Sequence, residues 1–85
     1  MEEYNVAAQL KIYLDDASQI GRVKADIGKI AKVDKFWEED VGFGIKVLKV
    51  NILMNDSQGG MDELEEKIKK IGNVSEVEVE TVTRV

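Results

Sequence analysis

The stretch Ile45-Lys46-Val47-Leu48-Lys49-Val50-Asn51-Ile52-Leu53-Met54 sets Leu48, Val50, Ile52 and Met54 on one face of an extended chain and Lys49 and Asn51 on the other. Successive side chains of a strand point to opposite faces, so a period of two marks a half-buried strand. Upstream, Gly42-Phe43-Gly44 marks a turn or bend leading into it, since glycine reaches backbone conformations closed to other residues. Val33 to Asp40 is ambiguous: Val33, Phe36 and Trp37 suit a strand, but the alternation is poor, and a short strand near Asp34 to Glu38 is expected. Downstream, Asn55-Asp56-Ser57-Gln58-Gly59-Gly60 reads as a loop.

The same reading extends to both ends. Asn5 to Leu14 alternates, with Val6, Ala8, Leu10, Ile12 and Leu14 on one face and Gln9, Lys11 and Tyr13 on the other. Asp15-Asp16-Ala17-Ser18 carries short oxygen-bearing side chains that can accept hydrogen bonds from the orphan amides of a first helical turn. Ile20, Val23, Ile27 and Ile30 follow at helical spacing, opposite Arg22, Lys24, Lys29 and Lys32. A second helix is expected from Asp62 to Ile71, with Leu64, Ile68 and Ile71 as its buried stripe and Asp62 with Glu65 at capping-box spacing. Glu63–Lys67, Glu65–Lys69 and Glu66–Lys70 are i, i+4 pairs in the favoured order. Gly72-Asn73 fits a helix stop. Val74 to Thr83 closes the pattern, with Val77 and Val79 set against Glu76, Glu78 and Glu80.

The order βαββαβ implies an α+β chain of the ferredoxin-like type: a four-stranded antiparallel sheet with two helices on one face, the first and third strands in the centre. Eighty-five residues suit one domain spanning residues 1–85. The apolar fraction of 44% is enough for a core, and the charged fraction of 34% suits the large surface of a small domain.

Composition excludes several chemistries. The chain has no cysteine and no histidine, which removes disulfides, thiolate metal sites and the commonest general base. A net charge of −5 opposes direct nucleic-acid or anionic-membrane binding. No apolar run approaches a membrane span, and Met1-Glu2-Glu3 does not begin a signal peptide, so a cytoplasmic location is expected. There is no phosphate loop, dinucleotide fingerprint or nucleophile elbow, so no enzyme chemistry, cofactor or metal is expected. Glu76, Glu78 and Glu80 read as a solvated sheet face, since carboxylates in a row on one strand do not converge on an ion. An RNA-stacking platform on the open face looks incomplete, with Tyr13 on the first strand but only Lys49 and Asn51 on the third.

Two features are not explained by folding. Phe43 stands between two glycines at the mouth of a central strand. It reads either as an exposed anchor for a protein partner or as a cap on the core edge. Arg84 is the penultimate residue, and from the residues alone a solvated cation on a frayed tail is the simpler reading.

Three segments carry a resemblance: Val41-Gly42-Phe43-Gly44-Ile45-Lys46-Val47-Leu48-Lys49-Val50; Gly59-Gly60-Met61-Asp62-Glu63-Leu64-Glu65-Glu66; and Gly72-Asn73-Val74-Ser75-Glu76-Val77-Glu78-Val79. In this order they resemble the elongation factor 1-beta family of guanine-nucleotide exchange factors, archaeal members and the C-terminal catalytic domain of eukaryotic ones. The eukaryotic pattern typically has a second lysine at the position of Val47. The resemblance implies exchange of GDP for GTP on elongation factor 1-alpha, the GTPase that delivers aminoacyl-tRNA to the ribosome. It implies a partner-binding set of Gly42, Phe43, Gly44, Lys46 and Arg84. The aromatic of the glycine-flanked turn enters the G domain, and a cation next to the C-terminus reaches the magnesium region. Arg84 departs from the eukaryotic lysine at that position. A monomeric free state is expected. The alternative is a small-ligand-sensing regulatory domain of the same fold, acting as a homo-oligomer.

Overall fold

A computed structural model describes residues 4–55 and 60–84. Strand β1 (Val6–Leu14) leads through a single 3-10 turn (Ala17–Gln19) into helix α1 (Ile20–Ile30). Strands β2 (Lys32–Gly42) and β3 (Ile45–Met54) form a hairpin, followed by helix α2 (Met61–Lys69) and strand β4 (Val74–Arg84). The sheet is antiparallel throughout, in the order β2-β3-β1-β4. The first and third strands occupy the centre, as the connectivity requires. Asp56, Ser57, Gln58 and Gly59 of the expected loop, with residues 1–3 and 85, lie outside the described residues.

Alternation decides the core. Ala8, Leu10 and Ile12 from β1 and Leu48, Val50 and Ile52 from β3 are fully buried, and Val23 and Ile27 of α1 with Leu64 and Ile68 of α2 cover them. Both helices therefore lie on one face of the sheet. Truncating a fully buried isoleucine such as Ile27 to alanine removes about 2–5 kcal/mol.

The helix starts differ from expectation. Asp16 does act as a cap: its Oδ1 accepts from the Ser18 amide at 3.0 Å and the Ser18 hydroxyl at 2.7 Å. The cap opens the 3-10 turn, and the α-helix begins only at Ile20. Helix α2 is capped by Gly60, so Asp62 and Glu65 form no capping box; Asp62 and Glu63 instead occupy the first turn, where carboxylates complement the helix dipole. The Glu63–Lys67 and Glu65–Lys69 pairs close at 3.6 and 3.8 Å. After α2 the left-handed residue is Asn73 (φ 77°). Its side chain accepts from the Asp16 amide and donates to the Asp16 carbonyl, both at 2.7 Å. The loop after β1 is thereby joined to the loop before β4.

Strand β2 is longer than the expected Asp34–Glu38, and the ladder explains why its pattern misleads. Val33 pairs with Ile52 and Phe36 with Val50, so both face the helices although they are an odd three positions apart. Asp34 is an extra residue between them, a β-bulge that breaks the period of two. Further shifts fall at Val41 on β2 and at Ser75 and Glu80 on β4. These register shifts all lie on the two edge strands, where bulges discourage pairing with another chain.

Candidate functional site

The β2–β3 hairpin projects past the end of β1, whose last pairing with β3 is Ile12 to Leu48. Gly42 pairs with Ile45, which leaves Phe43 and Gly44 as a two-residue turn. Their φ values are 56° and 73°, the positive pair that a type I′ turn requires. Asparagine commonly fills the first of these positions; a phenylalanine held there costs about 1–2 kcal/mol. Gly42 also has a positive φ of 103°. A Cβ would meet nothing within 4 Å at Gly42 or Gly44, so conformation, not space, demands glycine at both. Asp40 Oδ1 accepts from the Gly42 amide at 2.9 Å and steadies the bulge at Val41.

Phe43 is 103% exposed, so it does not cap the core. Val41 and Ile45 beside it are also exposed, and the exposed Lys46 lies opposite Asp40 in the ladder. Gly42, Phe43, Gly44 and Lys46 thus form one apolar tip with a cation at its base.

Arg84 is elsewhere. It pairs with Val6, which pairs on its other side with Met54, the last residue of β3. The hairpin begins at Ile45, the first residue of β3. The ten residues of that strand separate the two features by about 30 Å. At this distal end Arg84, the exposed Val82, Val6, Met54, Gly60 and Met61 line a shallow depression beside the start of α2.

Sequence reasoning missed the construction of the open sheet face. Lys49 is only 5% exposed. Its Nζ contacts Glu80 of β4 and lies 3.5 Å from Glu39 of β2, while Gln9 of β1 donates to Glu80 at 3.2 Å. All four strands contribute to this cluster. The hydrogen bond between them holds the Lys49 ammonium above its ordinary pKa and the Glu80 carboxyl below its own. Glu80 is therefore bound to its neighbours on this face, not merely solvated. Trp37 pairs across from Lys49, so the open face carries a second aromatic besides Tyr13. Each ring has a lysine above it, Lys35 at 5.2 Å and Lys11 at 5.5 Å. The signal for Trp37 was hidden by the bulge at Asp34. Among the described residues no group of three or more carboxylates could hold a metal ion, and no helix is long and apolar enough to cross a membrane.

A family model described as the EF-1 guanine nucleotide exchange domain matches residues 8–85. Elongation factor 1-beta of Aeropyrum pernix is 41% identical over 85 residues, covering 93% of this chain and 94% of the relative. Elongation factor 1-beta of Pyrococcus abyssi is 32% identical over 93 residues, with both chains fully covered. Among solved structures, the ACT domain from GTP pyrophosphokinase of Chlorobium tepidum matches with a TM-score of 0.63 at 18% identity, covering 92% of this chain and all of that one. That last likeness is one of fold alone, and one fold hosts many functions.

Proposed function

The chain belongs to the EF-1 guanine nucleotide exchange domain family, and from that premise we propose that it promotes release of GDP from elongation factor 1-alpha. Residues 1–85 act as one exchange domain, monomeric when free and cytoplasmic, with no nucleic acid or membrane as a direct partner. The observation that carries this reading is Phe43: fully exposed, and held at a positive φ by a turn that would be more stable without it. A residue unfavourable to the free fold in both respects suits an anchor for a partner, because strain and exposed aromatics concentrate at binding sites.

Phe43, flanked by Gly42 and Gly44 and assisted by Lys46, docks in the G domain. Arg84 brings a permanent positive charge towards the phosphate and magnesium region. Magnesium bridges nucleotide phosphates to a GTPase, and a cation delivered there competes with it. No covalent bond changes. The chain binds the nucleotide-free GTPase more tightly than the nucleotide-bound form, and by linkage it weakens nucleotide by the same factor.

The test is release of fluorescent GDP from elongation factor 1-alpha, with and without the chain. Acceleration that is lost in Phe43→Ala supports the reading; an unchanged release rate with wild type overturns it. Arg84→Lys should keep much of the activity and Arg84→Glu lose most of it. The loss in Arg84→Glu should shrink when magnesium is chelated, and equal losses with and without magnesium would exclude competition with the ion. Size-exclusion chromatography of the free chain addresses the homo-oligomeric regulatory alternative.

A further inference from the structure

We infer that the GTPase meets the β2–β3 hairpin from the open-face side of the sheet, with Ile45 as a second apolar contact beside Phe43. The inference deepens the proposed docking of Phe43 and rests on it. A cleft that encloses the Phe43 ring also touches the strand residues next to the turn, and the hairpin offers it two unlike sides. Alternation along β3 sets Lys46 and Leu48 towards the helix side and Ile45, Val47 and Lys49 towards the open face. The ladder then assigns the residues of β2. Glu38 and Asp40, opposite Leu48 and Lys46, belong to the helix side, and Glu39, opposite Val47, belongs to the open side. Two ion pairs agree with this assignment: Lys24 of α1 lies 3.7 Å from Glu38, and Lys49 lies 3.5 Å from Glu39.

The helix side of the hairpin is charged and obstructed. Glu38, Asp40 and Lys46 line it. The 3-10 turn packs against β3 on this side, and the exposed Asp15 and Asp16 lead into that turn. The open side is apolar and free of any helix. Ile45 is 55% exposed there, and Val47 behind it is fully buried although no helix covers this face. Tyr13, next on β1 after the Ile12–Leu48 pair, and Glu39 on β2 flank Val47. Val41, Phe43 and Ile45 are three of the four large hydrophobic residues exposed among the described residues, and the fourth, Val82, lies at the distal end. Apolar surface gathered at one place marks a site of association. Covering Ile45 removes apolar area from water, whereas covering the helix side would desolvate carboxylates that the hairpin leaves in solvent. The partner surface is therefore an apolar cleft that continues from the Phe43 pocket along one side of the hairpin, with Lys46 at the margin of the contact.

The test exploits Glu38 and Glu39, neighbours in sequence on opposite faces. The photo-crosslinker p-benzoylphenylalanine is placed at one position or the other in the full chain, and each protein is irradiated with nucleotide-free elongation factor 1-alpha. A cross-link to the GTPase is expected from position 39 and not from position 38. GDP release is measured alongside. Ile45→Thr keeps a β-branched strand residue and removes apolar surface, so exchange should fall about fivefold or more with an unchanged melting temperature. Glu38→Gln breaks only an exposed ion pair and should leave exchange at the wild-type rate. Cross-linking from position 38 alone, equal cross-linking from both positions, or none from either would overturn the inference. Wild-type exchange by Ile45→Thr would also overturn it. Phe43→Ala separates the two levels: if it too exchanges at the wild-type rate, the docking of Phe43 is the part that failed, and if it is impaired while Ile45→Thr is not, only the choice of side has failed.

Discussion

Phe43 and Arg84 lie at opposite ends of the sheet, about 30 Å apart, with the whole of β3 between them. Contacts at that separation share no partner within the domain. Phe43→Ala and Arg84→Glu should therefore weaken binding to nucleotide-free elongation factor 1-alpha additively, within about 0.5 kcal/mol. Titration calorimetry on the two single variants and the double variant checks this. A coupling well above that value would mean that the GTPase, or the domain, changes shape on binding.

The turn sets stability against function at one position. Phe43→Asn should raise stability by about 0.5–1 kcal/mol, because asparagine tolerates the positive φ better, while exchange falls by a factor matching about 2–4 kcal/mol of lost anchoring. Urea unfolding and fluorescent GDP release measure the two effects. A destabilised Phe43→Asn would return Phe43 to a folding role.

Asn73 combines a left-handed backbone with two bonds to Asp16. Asn73→Ala should cost about 2–3 kcal/mol, since it loses the bonds and strains the backbone. Asn73→Gly keeps the conformation available and should cost less, about 1 kcal/mol. Denaturant midpoints of the two variants separate the contributions, and equal losses would assign the whole effect to the side chain.

The contribution of Glu80 depends on pH with a definite sign. Its folded pKa lies below the ordinary value of 4.5 because Lys49 and Gln9 hydrogen-bond the carboxylate. A depressed carboxyl stabilises the fold above its unfolded pKa and loses that contribution as pH falls through the folded value. Asp16, depressed by its bonds from Ser18, acts in the same direction. Lys49 is raised above 10.5, so its contribution holds below that value and is lost as pH rises through the elevated one. Glu80→Gln should be less stable than wild type at pH 7, and the difference should vanish as acid protonates Glu80. A difference that stays constant into acid would show that the charge of Glu80 is not what stabilises the fold.

Sequence by itself determined the strands and helices whose faces follow a simple period. Val6 to Ile12 and Leu48 to Ile52 alternate because each strand has one buried face, and Val23, Ile27, Leu64 and Ile68 fall on the helical stripes that cover it. The element order then left few topologies, and the glycines around Phe43 marked the turn. The tertiary structure alone decided what depends on how two strands are paired. The bulge at Asp34 brings Val33 and Phe36 to one face and lets β2 run from Lys32 to Gly42, which no single-strand pattern could reveal. The bulge at Glu80 turns Arg84 to the helix side, and carboxylates from both edge strands approach Lys49 and bury it. Whether Phe43 capped the core or stood in solvent was undecided in the chain, because both readings require the same residue between the same glycines. The reach of the hairpin beyond β1 decided it, since no strand beside it is long enough to cover the turn.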